Sequence, residues 1–255
     1  MKKKITIIIQ ARMGSSRLPG KMAMPIVDNK GALELMLERV KCVQVPHQLM
    51  VATTFLKEDD ILEKICKKLK VTCYRGHPTD VLDRYYNAAL STDEKPDTIV
   101  RLTGDCPLHD PYVIEQVIQQ YLSKNSDYVS NVSPPTFPDG LDVEVFSFAA
   151  LKNAYQHAKK EIEREHVTPY IRENTVLFSS ENYSCSVDYS QHRWTLDEPE
   201  DFELIQTIFE ILYSDNKFFN MKDIVKVIEN NKQLRAINKK NKRNEAYEKQ
   251  KRARG

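Results

Sequence analysis

Directly after the apolar run Ile5 to Ile9, the segment Gln10-Ala11-Arg12-Met13-Gly14-Ser15-Ser16-Arg17-Leu18-Pro19-Gly20-Lys21 brings together two glycines, two arginines and a lysine. Glycines let backbone amides approach an anion closely, and Arg and Lys add charge that neutral donors cannot supply. The chemistry this suggests is capture of a polyphosphate at the end of a strand. Of two aspartates farther along, Asp105 at a strand end could hold a metal partner for such a group, whereas Asp197 reads first as a helix-start acid. Asp105 follows the apolar run Thr98 to Leu102, and Asp197 stands in Thr195-Leu196-Asp197-Glu198-Pro199-Glu200-Asp201. Mg2+ needs few protein carboxylates because it keeps waters and phosphate oxygens. Aspartate is also a common turn residue, and acids crowd helix starts, so a capping role stays open for both positions.

Two familiar phosphate motifs are excluded by spacing. A Walker A loop has four residues between its glycines and a hydroxyl after the lysine, whereas five residues separate Gly14 from Gly20 and Met22 follows Lys21. A dinucleotide fingerprint starts Gly-x-Gly, and Gly14 has Arg12 before it and Ser16 after it at that distance. No Ser/His/Asp or Cys/His pattern offers a covalent nucleophile. His47, His77, His109, His157 and His192 lack metal-ligand spacing and are expected on the surface or in packing.

The elements needed to hold such a loop are present. Apolar runs predict strands over Ile5 to Ile9, Leu49 to Thr53, Val71 to Tyr74, Thr98 to Leu102, Tyr128 to Ser130 and Val143 to Phe146. Helical patterns alternate with them over Leu33 to Cys42, Asp59 to Leu69, Val81 to Leu90, Pro111 to Leu122, Phe148 to Ala158 and Glu200 to Tyr213. Such alternation predicts an α/β, single-domain, mostly parallel doubly wound sheet with ligands at the carboxyl ends of its strands. Only seven glycines occur, and Gly14, Gly20, Gly76, Gly104 and Gly140 fall at predicted strand ends or in motif loops. Prolines 134, 135 and 138 mark an excursion between Ser123 and Gly140, expected to be a lid or a dimer arm.

A chain of 255 residues can bury one large core. Five cysteines without a Cys-x-x-Cys pair suggest reduced thiols. The Met1-Lys2-Lys3-Lys4 start precedes an apolar run too short for a leader, and no run approaches the ~20 apolar residues of a membrane span, so a cytoplasmic location is expected. From Lys239 to Arg254, eight Lys/Arg face two Glu, a surplus of six that leaves the rest of this +2 chain at −4. The expectation is therefore a nucleotide-handling domain over 1–238 and a solvated basic tail over 239–255, with no nucleic-acid partner.

In its wording, the loop from Gln10 to Lys21 resembles the signature of the sugar cytidylyltransferases, in the branch typified by the spore coat polysaccharide biosynthesis protein SpsF. Further blocks continue the resemblance: Arg75-Gly76 with Asp80-Val81-Leu82-Asp83-Arg84-Tyr85, Arg101-Leu102-Thr103-Gly104-Asp105-Cys106-Pro107 with Asp110-Pro111, Asp139 to Val145, Glu163 to Tyr170, and Arg193 to Asp201. The resemblance implies the Rossmann-like fold of nucleotide-diphospho-sugar transferases and a homodimer. It implies an in-line attack of a sugar hydroxyl on the α-phosphorus of CTP, with pyrophosphate leaving. Asp105 and Asp197 would hold Mg2+, and Arg12 and Lys21 would clamp the triphosphate with the amides of Gly14 and Ser15, while Ala11 and Met13 complete the loop. Arg17 either joins them or faces solvent.

For the base, Arg75 and Asp80 could present a donor and an acceptor to cytosine; the alternative is a surface turn with a capped helix. For a small acidic, nonulosonate-like sugar, Asp142 and Glu144 share one strand face by alternation, and Glu165 and His166 lie nearby in the shared block. Arg164 and Arg172 are both candidates for the sugar carboxylate. The glycine-rich loop of sialic-acid cytidylyltransferases is missing, so N-acetylneuraminate is not the expected acceptor. Two other readings remain: a glycosyltransferase of the same fold, although the chain contains no Asp-x-Asp, and a non-catalytic nucleotide-binding protein.

Overall fold

The computed structural model describes residues 3–243 and 245–252. Met1, Lys2 and the last three residues of the basic tail lie outside the described residues. The first half alternates strand and helix: β1 (Ile5–Gln10), α1 (Ala32–Val40), β2 (Gln48–Thr54), α2 (Asp60–Lys68), β3 (Thr72–Gly76), α3 (Val81–Leu90), β4 (Thr98–Thr103) and α4 (Pro111–Ser123). The second half is less regular: β5 (Tyr128–Ser130), β6 (Glu144–Ser147), α5 (Phe148–His157), α6 (Glu161–His166), α7 (Pro169–Glu173) and β7 (Ser180–Asn182). Helices α8 (Pro199–Leu212), α9 (Met221–Asn230), α10 (Lys232–Ala236) and α11 (Glu245–Arg252) follow.

All seven strands form one sheet in the order β3-β2-β1-β4-β6-β5-β7. The first four strands in that order run parallel, and β6 runs against both β4 and β5. Because β6 is reversed, its first residue, Glu144, stands at the same edge of the sheet as the last residues of β1 and β4. Strand alternation explains why the apolar runs are continuous rather than amphipathic. Ile7 and Ile9 enter the core beneath α1, α4 and α8, while Ile8 enters the core beneath α3 and α5, and all three are fully buried. Val100 and Val145 join the first core, and Ile99 and Phe146 join the second.

Helix starts are locally encoded. Asp110 accepts from the Tyr112 amide at 2.9 Å with Pro111 in the first turn, and Ser147 accepts from Ala150 at 3.0 Å. The helices α6, α7, α9, α10 and α11 and the strand β7 lie beyond the elements predicted above. Three polar residues make up β7, and α6 is a six-residue helix, so neither carries a readable period. The segment between β5 and β6 is a pinned wall and not a free lid or arm. Asn182 accepts from the Ser133 amide and donates to Pro134 O, both at 3.0 Å, and Phe137 is buried. The five cysteines are free thiols. Among the described residues, no helix is long and apolar enough to cross a membrane.

Candidate active site

A cleft of about 800 Å³ runs along the strand ends where β1, β4 and β6 meet. The loop after β1 and the loop after β4 are joined there by a bond from the Gly104 amide to Gln10 O at 2.8 Å. A side chain at Gly104 would put its Cβ 2.9 Å from the Ala11 Cβ and 2.8 Å from the Met22 side chain, so the close approach requires glycine. Gly140 serves the opposite wall. Its φ is +104° and an added Cβ would lie 2.5 Å from the Trp194 backbone, so glycine lets the β5–β6 segment lie against the strand-like run that ends at Asp197, where the Trp194 amide donates to Asp139 O at 2.6 Å.

These approaches deliver both aspartates to one cation. Lys21 Nζ lies 3.0 Å from Asp105 Oδ2 and 2.8 Å from Asp197 Oδ1. Burial opposes the charged lysine, but Asp105 and then Asp197 outweigh it and raise its pKa, so Lys21 is an ammonium. Burial likewise disfavours ionised Asp105, and Lys21 overrides it to hold that carboxyl below its ordinary value. Neither aspartate caps a helix. Asp110 caps α4, and Glu198 with Asp201 forms the capping box of α8.

Asp197 is held from three sides. Arg17 lies 3.3 Å away and also bonds Glu198 at 2.8 Å, while Arg193 bonds Asp197 at 3.0 Å. Arg193 is itself fixed by Asp139 at 2.9 Å and Asp201 at 3.0 Å. Around these contacts, five carboxylates (Asp105, Asp139, Asp197, Glu198 and Asp201) meet three cations. Burial, and after it the like charge of Asp142, pushes Asp139 up to about 7.

Toward the far end of the cleft, Glu144 is the centre of a second network. It pairs with Arg101 and accepts from Tyr128 Oη at 2.5 Å and Thr168 Oγ1 at 2.6 Å. Burial would raise its pKa, but Arg101 and then Arg172 hold it below the usual carboxylate range. Asp142 pairs with Arg243. Glu165 and His166 line the same end and bond Gln250 at 2.8 and 2.9 Å.

A cytidylyltransferase family model matches residues 6–253. The chain belongs to the cytidylyltransferase family. The spore coat polysaccharide biosynthesis protein SpsF of Bacillus subtilis is 34% identical over 218 residues, covering 81% of this chain and 86% of that protein. An 8-amino-3,8-dideoxy-manno-octulosonate cytidylyltransferase of Shewanella frigidimarina is 34% identical over 119 residues, 46% of this chain and 47% of that one. Among solved structures, a cytidylyltransferase from Leptospira borgpetersenii matches with a TM-score of 0.86 and 36% identity, over 91% of this chain and 97% of that one. The chain is thus a nucleotidyltransferase of a CTP-using family, with the α/β fold expected for it.

Within this cytidylyltransferase, the predicted site residues divide. Ala11, Arg12, Gly14, Ser15, Lys21 and Asp105 line the cleft. So do Asp197, Asp142, Glu144, Glu165 and His166. Three predicted nucleotide contacts need correction. The Met13 amide is consumed by the buried Asp59 at 2.6 Å, and its side chain packs against the core. Arg75 lies outside the cleft lining, bonding Thr54 O and Leu56 O and pairing with Asp60 and Glu63. Asp80 caps α3 through the Asp83 amide at 2.9 Å and takes Arg164 at 2.6 Å, so the capped-helix alternative describes it. The expected pairing of Asp142 with Glu144 on one strand face also changes: β6 begins at Glu144, and Asp142 belongs to the preceding loop.

Several cleft residues fall outside the predicted set. Arg84, only 1% exposed, lines the cleft beside Arg12 and bonds His77 O at 2.7 Å. Arg101 lies in the Arg-Leu-Thr-Gly-Asp block, and Arg193 in the Arg-Trp-Thr-Leu-Asp block. Glu144 lies 43 residues from Arg101 and Asp139 lies 54 from Arg193, although Asp197 and Asp201 are only 4 and 8 residues from Arg193. The basic tail is not simply solvated. Lys240 pairs with Glu200, the Lys242 carbonyl accepts from Arg193 at 3.1 Å, and Lys242 and Tyr247 line the cleft.

Proposed function

We propose that this cytidylyltransferase transfers CMP from CTP to a small acidic, nonulosonate-like sugar in a Mg2+-dependent reaction, serving surface polysaccharide or glycoconjugate synthesis. The observation that carries the reading is the convergence of Asp105 and Asp197 on Lys21, in the middle of a cleft with cationic groups at both ends. An all-oxygen pair of carboxylates within an acid-rich cluster suits a hard divalent cation. Asp105 and Asp197 would hold Mg2+, which supplies charge neutralisation of the triphosphate when bound.

Arg12, Lys21 and the amides of Gly14 and Ser15 face the phosphates. A cation that contacts the leaving pyrophosphate strengthens its hold as the α-phosphorus–oxygen bond breaks. Cleft-lining Val81 and Arg84, rather than Arg75, bound the base end. The sugar hydroxyl forms the new bond to phosphorus and loses its proton, and pyrophosphate departs with the bonding pair.

The acidic acceptor is supported by one guanidinium at the far end. Arg101 pairs with Glu144, and Arg172 also helps to hold that carboxyl in its charged form. Arg172 lines the cleft, its Nε has no hydrogen-bond partner, and its Nη2 lies 3.5 Å from the Tyr247 hydroxyl. Arg164 is spent on Asp80 and on Tyr155 O at 2.9 Å. The sugar carboxylate is therefore assigned to Arg172. The name of the Shewanella relative, which specifies an octulosonate, points the same way.

Thermal unfolding with Mg2+ and each of CTP, UTP, ATP, GTP and dTTP tests the nucleotide half, and pyrophosphate release with keto-sugar acids tests the acceptor half. Ligand at a hundredfold over its dissociation constant adds about 2.7 kcal/mol. A CTP-selective shift that survives Arg75→Ala is expected. A shift with nucleotide sugars and none with CTP would favour the glycosyltransferase reading.

A further inference from the structure

The side chains of Arg243, Tyr247 and Gln250 make polar contacts whose partners cluster at one end of the cleft, while the Lys242 carbonyl accepts from Arg193. Arg243 pairs with Asp142 and donates to Phe137 O at 3.0 Å. Tyr247 and Gln250, three residues apart on α11, share a helix face. The Tyr247 ring meets His166 edge-on at 4.9 Å, and the Gln250 amide bridges Glu165 and His166. Arg172 lies over the Tyr247 ring at 5.8 Å and donates to its hydroxyl. The partners of these three side chains include Asp142, Glu165, His166 and Arg172, which are acceptor-end groups in the reading above. The phosphate loop Ala11–Lys21 is bounded instead by Asp59, Pro78, Asp197 and Glu198.

We propose that Arg243 and α11 form a specificity element for the acceptor, in which Arg243 positions Asp142 and Tyr247 positions Arg172 and His166. This rests on the assignment of the far end of the cleft to the sugar. The sequence Glu-Ala-Tyr-Glu-Lys-Gln-Lys-Arg gives α11 no apolar stripe, so polar contacts such as these dock it. Elements held in this way open at lower free energy than packed core helices. A sugar bound against Arg172 and His166 reinforces the docked position, so loss of a contact is felt in acceptor binding more than in nucleotide binding.

The test uses the full chain carrying Arg243→Met, Arg243→Lys or Tyr247→Leu, with Mg2+, CTP and 8-amino-3,8-dideoxy-manno-octulosonate as the acceptor probe. Arg243→Met and Tyr247→Leu should raise the acceptor KM at least tenfold, with the CTP KM and the CTP-dependent thermal shift within twofold. Arg243→Lys, which keeps the ion pair, should recover most of the loss. An equal rise in both KM values, or an unchanged acceptor KM, overturns the proposal.

Amide hydrogen exchange gives a readout that needs no sugar. Arg243→Met should lose protection at residues 139–145 and 161–173 while residues 11–21 keep theirs. Uniform loss, or no loss, overturns the proposal. If the unsubstituted protein binds CTP but releases no pyrophosphate with the probe, the reading of this sugar fails, while the exchange pattern still decides the role of the segment.

Discussion

The two ends of the cleft are built in different ways. The nucleotide end uses one continuous loop, from Gln10 to Lys21, set between parallel strands and closed by Gly104. Its cations reach the cleft from a few turns of adjacent chain. The acceptor end is assembled from the β5–β6 segment, α6, α7 and the C-terminal segment, whose meeting residues are separated by as many as a hundred positions, as in Asp142 with Arg243. A local loop brings its cations together through adjacency in the chain, even where Arg17 and Lys21 then take carboxylate partners. An assembled site gives each charge a partner first, and only what is left over faces the substrate. The Arg172 Nε, buried without a hydrogen-bond partner, is such a remainder.

The sharpest break falls where the two ends join. Asp105→Asn or Asp197→Asn should abolish Mg2+-dependent pyrophosphate release, at least a hundredfold, while circular dichroism shows a folded protein. Near wild-type turnover in either variant would remove that aspartate from the metal site.

Lys21→Met comes next, with an expected loss on the order of 10²-fold in kcat/KM for CTP, the scale for one charged contact to a developing anion. Unchanged kinetics would make Lys21 a structural counter-ion to the aspartates only.

Arg172→Met should raise the acceptor KM by roughly tenfold, the scale of a charge-assisted bond, and leave the CTP KM alone. Arg164→Met, by contrast, should lower the melting temperature through loss of the Asp80 pair without an acceptor-specific effect. The reverse pattern in the two variants would exchange their roles.

The smallest effect concerns pH. Asp139, raised to about 7 in the fold from an ordinary 3.8, keeps its proton longer folded than unfolded. Between those values the folded state therefore binds more protons, and stability falls as pH rises. Asp139→Asn removes that dependence. The melting temperature of the unsubstituted protein should drop by a few degrees relative to the variant between pH 5 and pH 8, and parallel curves would refute it.

The strand, loop and helix framework around the β1 loop was largely legible in the sequence because its signals are local. An apolar run predicts β1, the loop composition predicts anion binding, and Pro111 and Pro199 predict helix starts that the structure contains. Arg75 and Asp80 misled for a physical reason: a cation and an acid beside a turn look alike whether they face a ligand or neutralise neighbours. Here Asp60 and Glu63 on α2 claim Arg75, and Arg164 on α6 claims Asp80. The tail misled in the same way. Its surplus of positive charge reads as solvation, and the acidic residue that Arg243 needs lies across the fold.

By itself, the sequence determined the strand–helix alternation, the composition of the loop after β1 and the absence of a covalent nucleophile motif. Each depends on side-chain type and spacing over a few residues. Only the tertiary structure decided that Asp105 and Asp197 meet on one lysine, that Arg164 pairs with Asp80, and that Arg243 and α11 lie against Asp142, Glu165 and His166. Those outcomes turn on which charges neutralise each other, and pairing across the fold is set by packing rather than by neighbours in the chain.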